Sequence, residues 1–292
     1  MNAPWRDRRG RFVPIKAAAL AAAVAPALFY AVLWSVVGLG PRPLNEAIHS
    51  VGLWGIRWLM IALAITPLAR ALDWSGLLLV RRMVGLTALA WLGVHFSLFL
   101  ADQEFDLVAA ASEIVDRLYL TLGFVVLLGL IALGATSTDA AVRRMGRWWK
   151  RLHRLAYPLG AAGLLHYFIQ SKANVSEPVY VAGLFAWLMF WRLLLSGWRA
   201  RPLAYLALAP LAGAAAAGIE FAWYGLATRI NPWRVLAANE TISFGLRPAH
   251  YVALTALLVA LVVLLRRFGI PRSTRRPVAY RAPAPATERS GS

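Results

Sequence analysis

Long apolar runs alternate with short polar breaks along the whole chain, and the runs have the length of membrane-crossing helices. A spanning helix needs about 20 mostly apolar residues. Eight stretches meet or approach that length: 15–37, 51–68, 83–100, 119–135, 155–170, 179–195, 203–226 and 251–265. The last is the shortest. The first is too long an apolar run for a cleavable leader, and Pro41 and Pro43 follow it without a small-residue cleavage site. The pattern predicts an all-α, polytopic helix bundle in a lipid bilayer.

Composition sharpens this picture. The 292 residues are 60% hydrophobic and only 15% charged, yet the formal net charge is +18. A soluble domain would be about 45–50% apolar and about 25% charged. A nucleic-acid partner is disfavoured, because the basic residues lie between apolar spans. With no cysteine in the chain, disulfides, thiolate metal sites and iron–sulfur clusters are excluded. No glycine-rich nucleotide loop is present, so no nicotinamide, flavin-dinucleotide or ATP domain is expected.

Charge also predicts orientation. With eight spans, the N-terminus, every second loop and the C-terminus share a side. That side holds 24 of the 31 Lys and Arg, among them Arg143, Arg144, Arg147, Lys150, Arg151 and Arg154. Eight of the 13 acids fall on the other side, including the run Asp102, Glu104, Asp106, Glu113 and Asp116. The positive-inside rule then places both termini in the cytoplasm and the acidic loop outside. The expected layout is a basic N-terminus at 1–14, a membrane core at 15–200, a further helix pair at 201–267 and a disordered tail at 268–292. No internal repeat is evident.

Candidate chemistry lies with the histidines, since ionisable residues within spans default to a functional reading. His95 lies 12 residues beyond Met83, roughly 18 Å along a helix, and His166 lies 11 residues beyond Leu155, roughly 16 Å. Both helices start on the same side, so the imidazoles reach similar depths, as bis-histidine haem ligation in a bundle requires. The competing reading is a pair of helix–helix hydrogen bonds. His153 is expected at the inner edge of the helix that carries His166, with a kink at Pro158 between them. Spacing leaves it either a second haem ligand or part of a basic interface. Opposite it stand Arg81, Arg82 and Met83: the arginines suit propionates or a quinone or flavin anion, and Met83 offers a thioether. His49 reads as a loop or interface residue, and His250 carries no assigned role. Glu220, inside the seventh span, is expected to pair with Arg229 or to face water.

Several motifs together carry a family resemblance. They are Ile48-His49 with Gly52, Ile65-Thr66-Pro67-Leu68-Ala69-Arg70, Arg81-Arg82-Met83-Val84-Gly85-Leu86 and Arg117-Leu118-Tyr119-Leu120-Thr121-Leu122-Gly123. They continue with Thr136-Ser137-Thr138, Arg143-Arg144-Met145-Gly146, Trp149, Leu152-His153-Arg154-Leu155-Ala156-Tyr157 and His166-Tyr167. In this order, over about residues 45–195, the chain resembles the MsrQ (YedZ) family of the ferric-reductase-like transmembrane group. The resemblance implies a six-helix haem b cytochrome in the bacterial inner membrane, with one or two haems and FMN as a further cofactor. Electrons would come from quinol or a flavin donor. They would pass to a periplasmic molybdopterin methionine-sulfoxide reductase subunit that repairs oxidised envelope proteins, so the chain would be an electron-transfer subunit and not the catalytic one. Carried over by motif, His95, His153 and His166 are haem-linked, with Arg82 and His49 as further cofactor contacts. The alternatives are a stand-alone transmembrane ferric or quinone reductase, and a haem-free transporter with structural histidines. Residues 203–265 exceed the six-helix pattern and take no role from the resemblance.

Overall fold

The structure, a computed structural model, describes residues 3–6, 9–38, 40–171, 174–199, 201–243 and 245–269. In chain order the helices are α1 (Pro14–Val37), α2 (Pro43–Ala71), a 3-10 helix (Ser75–Val80), α3 (Arg81–Asp102), α4 (Leu107–Asp116), α5 (Leu118–Ala135), α6 (Asp139–Met145) and α7 (Arg147–His153). They continue with α8 (Ala156–Gln170), α9 (Ser176–Leu193), α10 (Ser196–Arg199), α11 (Pro202–Ala227), α12 (Pro232–Asn239) and α13 (Pro248–Gly269). Apart from one isolated bridge between Arg6 and Phe12, the described residues contain no β-structure. The chain is an all-α, polytopic membrane bundle.

All eight expected spans are helical, but only six are long and apolar enough to cross a membrane by themselves: α1, α2, the segment Ser75–Asp102, α5, α11 and Pro248–Arg267 of α13. The fifth and sixth expected spans are α8 and α9. The first has 15 residues, and the second is bounded by Glu177 and Arg192. The reason lies in their position. α9 packs against α2, α8, α11 and α13 and buries Val179, Val181, Trp187, Leu188 and Trp191. A helix covered by other helices has little need of a lipid-facing apolar surface.

Helix ends follow their sequence signals. Proline opens α1, α2, α11 and α12, where its missing N–H has no helical partner in any case. The Asp106 carboxylate caps α4 by accepting from the backbone N–H of Val108 (2.9 Å) and Ala109 (3.0 Å). Thr138 caps α6 through the N–H of Ala141 at 3.1 Å. α4 is tied to α5 by the Thr121 hydroxyl, which donates to the carbonyl of Ile114 at 2.5 Å. The outward face of α4, with Leu107, Val108 and Val115, is exposed.

One helix boundary differs from expectation. His153 and His166 do not share a helix: α7 ends at His153, and α8 begins at Ala156. The break at Arg154–Leu155 precedes Pro158, which occupies the third position of α8. The first four N–H groups of a helix have no intrahelical acceptor, so proline costs no hydrogen bond there and starts α8 instead of kinking it.

The C-terminal helices are built into the bundle. Along the junction of α9, α11 and α13, small residues bring the backbones close: Ala209, Ala212, Ala216 and Ala260 are fully buried, and a Cβ on Gly183 would meet Val252 and Ala216. Small residues at crossings of this kind allow the van der Waals packing that drives helix association in lipid. The expected disordered tail, beyond Gly269, lies outside the described residues.

Candidate haem site

The site is built from two helix pairs, α2 with α3 and α5 with α8. His95 on α3 places Nδ1 2.8 Å from the carbonyl oxygen of Ile48 on α2. His166 on α8 places Nδ1 2.7 Å from the carbonyl oxygen of Tyr119 on α5. A carbonyl only accepts, so each Nδ1 carries the proton and each Nε2 keeps its lone pair for a metal. This carbonyl-to-imidazole contact is the outer-shell arrangement that orients histidine ligands in metalloproteins.

Both contacts depend on a glycine one turn further along. A Cβ on Gly52 would lie 2.8 Å from Nδ1 of His95, and a Cβ on Gly123 would lie 2.9 Å from Cε1 of His166. Each ring therefore lies on a bare stretch of the neighbouring helix. The two half-sites repeat with one offset. Ile48 and Tyr119, Gly52 and Gly123, and His95 and His166 are each 71 residues apart. Sequence reasoning found no repeat and missed both glycines. The equal offset of the two Gly–His pairs was the readable signal.

The two imidazole ring centres are 6.3 Å apart, with their planes at 79°. A metal between them, at about 2 Å from each nitrogen and roughly 1 Å more to each ring centre, would require about 6 Å. Around the pair is a cavity of about 530 Å³, within the range of about 300–1,000 Å³ usual for cofactor pockets. Its walls include Leu53, Ile56, Leu92, Phe96, Phe124 and Leu127, and polar residues gather at the α4 end. No cluster of three or more metal-ligating side chains occurs among the described residues. Two neutral imidazoles with an apolar surround fit a haem iron, whose remaining ligands come from the porphyrin, better than a hard cation that needs oxygen donors.

The other predicted residues fall elsewhere or change context. His49 lies within α2, not in a loop, and lines the cavity at the α4 end, its Nδ1 2.7 Å from the carbonyl of Asn45. His153 stands apart, at the end that carries α6 and α7. Its ring stacks on Trp149 at 3.9 Å, and its Nε2 lies 3.4 Å from the Ser137 hydroxyl. Burial lowers the His153 pKa. The Trp149 carbonyl opposes that shift, and the positive charge of Arg81 adds to it. Arg82 is not in the cavity either; it pairs with Asp139 at 2.7 Å on an exposed surface. Exposed pairs contribute little, so Asp139→Asn is expected to change stability by less than about 1 kcal/mol, measured by thermal unfolding in detergent.

Glu220 pairs with Arg247 at 2.5 Å, and not with Arg229 as the sequence suggested. It also accepts from Asn239 at 2.8 Å. The residue is buried among α11, α12 and α13, and neither partner is close to it in sequence, so spacing gave no cue. His250 accepts the N–H of Arg247 at 3.0 Å and caps the start of α13.

Two imidazoles brought to 6.3 Å across an apolar cavity define a membrane helix bundle with a histidine-lined candidate haem site. In agreement, residues 51–164 match the family described as ferric reductase like transmembrane component. The chain's relatives include proteins named protein-methionine-sulfoxide reductase heme-binding subunit MsrQ. The Rhodospirillum rubrum protein is 38% identical over 190 residues, covering 64% of this chain and 89% of the relative. The protein of Xanthomonas campestris pv. campestris is 41% identical over 155 residues, covering 53% and 71%. That of Caulobacter vibrioides is 40% identical over 156 residues, covering 53% and 74%. The chain belongs to the MsrQ family. No solved structure matches it.

Proposed function

We propose that this chain is the haem-binding membrane subunit of a protein-methionine-sulfoxide reductase, and that it carries electrons from the quinone pool, with a flavin donor, to a soluble molybdopterin subunit. The observation that carries this reading is the matched pair of Nδ1–carbonyl contacts, which leaves Nε2 of each ring free while the two rings stand 6.3 Å apart between α3 and α8. A bound haem b supplies one-electron iron chemistry there. Every other part belongs to the chain. His95 and His166 would hold the iron, Ile48 and Tyr119 fix their tautomers, and Phe96 and Phe124 would help to exclude water. Each histidine is tied to a backbone carbonyl through Nδ1, so the chain would offer an iron a pre-positioned pair of ligands.

The positive-inside charge distribution supports an inner-membrane protein with both termini in the cytoplasm and the α4 end facing the soluble partner. Residues 15–200 would form the haem-binding core and 201–267 an added helix pair. The His95–His166 pair accounts for one haem per chain; a higher stoichiometry would place a second at His153.

The purified protein is expected to give a reduced pyridine-haemochrome spectrum of b type, and a His95→Ala/His166→Ala double variant is expected to lose it. A folded wild-type protein without colour would sink the haem reading. A haem protein whose reduced form is not reoxidised by the catalytic subunit with methionine sulfoxide present would leave the haem and overturn the partner.

A further inference from the structure

A haem is apolar over most of its surface but carries two carboxylates, and carboxylates in an apolar cavity need cations or water. The wall of the histidine cavity offers cationic partners at one place. At the α4 end it runs into a second cavity of about 580 Å³, lined by Arg42, Asn45, His49, Arg117, Tyr119, Ile169 and Gln170. Asn45, His49, Arg117, Tyr119 and Gln170 line both cavities, so the two are continuous.

We propose that Arg42 and Arg117 form a carboxylate-binding rim that takes the two propionates of the cofactor. The inference rests on the haem reading above and adds the direction in which the cofactor faces. Arg117 is held ready: its Nε lies 2.6 Å from Glu113 Oε2, and its Nη1 is 3.4 Å from the Tyr119 hydroxyl. A guanidinium has five N–H donors, so these contacts aim Arg117 and still leave donors for a ligand. Tyr119 links rim and iron site, because its carbonyl is the one that holds His166. Arg42 is exposed, and no ion pair among the described residues involves it. His49 directs its Nδ1–H at the Asn45 carbonyl, so its Nε2 keeps a lone pair and the carboxylate contacts fall to the two arginines. On this arrangement the carboxylate edge of the cofactor faces the α4 end, and the apolar edge lies deeper among Leu92, Phe124 and Leu127.

The test uses the full chain in detergent, loaded with protohaem or with protohaem dimethyl ester, whose propionates carry no charge. Haem release to excess apomyoglobin is followed by visible absorbance for wild type, Arg42→Gln, Arg117→Gln and the double variant. Each substitution is expected to speed release of protohaem by roughly tenfold, the scale of one charge-assisted hydrogen bond, and to leave release of the diester unchanged. Equal acceleration for both haems would show that the arginines act on the fold or on some other anion and would overturn the proposal, as would wild-type retention in the double variant. Arg42→Gln keeps the test decisive should Arg117→Gln loosen Glu113, since Arg42 has no ion-pair partner among the described residues. A wild-type chain that binds neither haem overturns the haem reading and the rim with it; a wild type that binds protohaem while the variants release it normally overturns the rim alone.

Discussion

Gly52→Ala and Gly123→Ala are each expected to weaken haem binding by about 10–100-fold, the usual effect of disturbing an outer-shell partner of a metal ligand, while the protein stays folded. The added methyl at position 52 would lie 2.8 Å from the His95 ring and that at 123 would lie 2.9 Å from the His166 ring. Neither distance is tolerable, and the ring is the part free to turn. Turning it breaks the bond to Ile48 or Tyr119, releases the tautomer and re-aims Nε2. The fold should survive, because alanine is a better helix former than glycine by about 1 kcal/mol. Haem content per chain and the low-spin visible spectrum check this, with helicity by circular dichroism as the control. The two variants should behave alike, since the half-sites are equivalent. Full haem occupancy in either would show that the glycine contact does not hold the ligand.

The second large effect concerns the buried ion pair of the C-terminal helices. Glu220 is 1% exposed and Arg247 28% exposed. Arg247→Met strands a carboxylate between α11, α12 and α13, and breaking a buried pair from one side costs about 3–5 kcal/mol. The low end applies, because Asn239 still donates to Glu220. Glu220→Gln is expected to cost less, since Arg247 can turn to the surface. The double change Glu220→Leu/Arg247→Met should recover most of the loss, because it leaves no unpaired charge. Thermal unfolding in detergent measures all three. The haem spectrum of the folded variants should match wild type, as neither Glu220 nor Arg247 lines the histidine cavity.

These two cases show what could and could not be read along the chain. The eight helical segments were legible because a bilayer demands long apolar runs, a signal that is local in sequence. Helix ends were less so. α2 extends eight residues before its expected start at 51, since Asn45, Glu46 and His49 are polar but helical. One helix with a kink at Pro158 was expected from His153 to His166; the chain instead breaks at Arg154–Leu155, and the proline sits in the first turn of α8. α4, α6, α7 and α12 were not foreseen, because short polar helices outside the lipid carry no apolar period long enough to register.

At the site, His95 and His166 were legible from depth alone: two imidazoles a similar distance along helices that start on one side must meet at one level. The sequence could not say that their rings face each other, because rotation about a helix axis is set by packing. Ile48 and Tyr119 act through backbone carbonyls, which every residue has, so no residue type marks them. Gly52 and Gly123 look like ordinary small residues until a ring lies against them. Glu220 was legible as an anomaly, but its partner was not, since Arg247 lies 27 residues away and no period relates the two. By itself, then, the sequence determined that this is a helical membrane protein with two histidines at one depth. Only the tertiary structure decided how close those histidines come, which ring nitrogen is tied to the backbone and which backbone holds it, because those depend on how helices distant in sequence turn their faces toward one another.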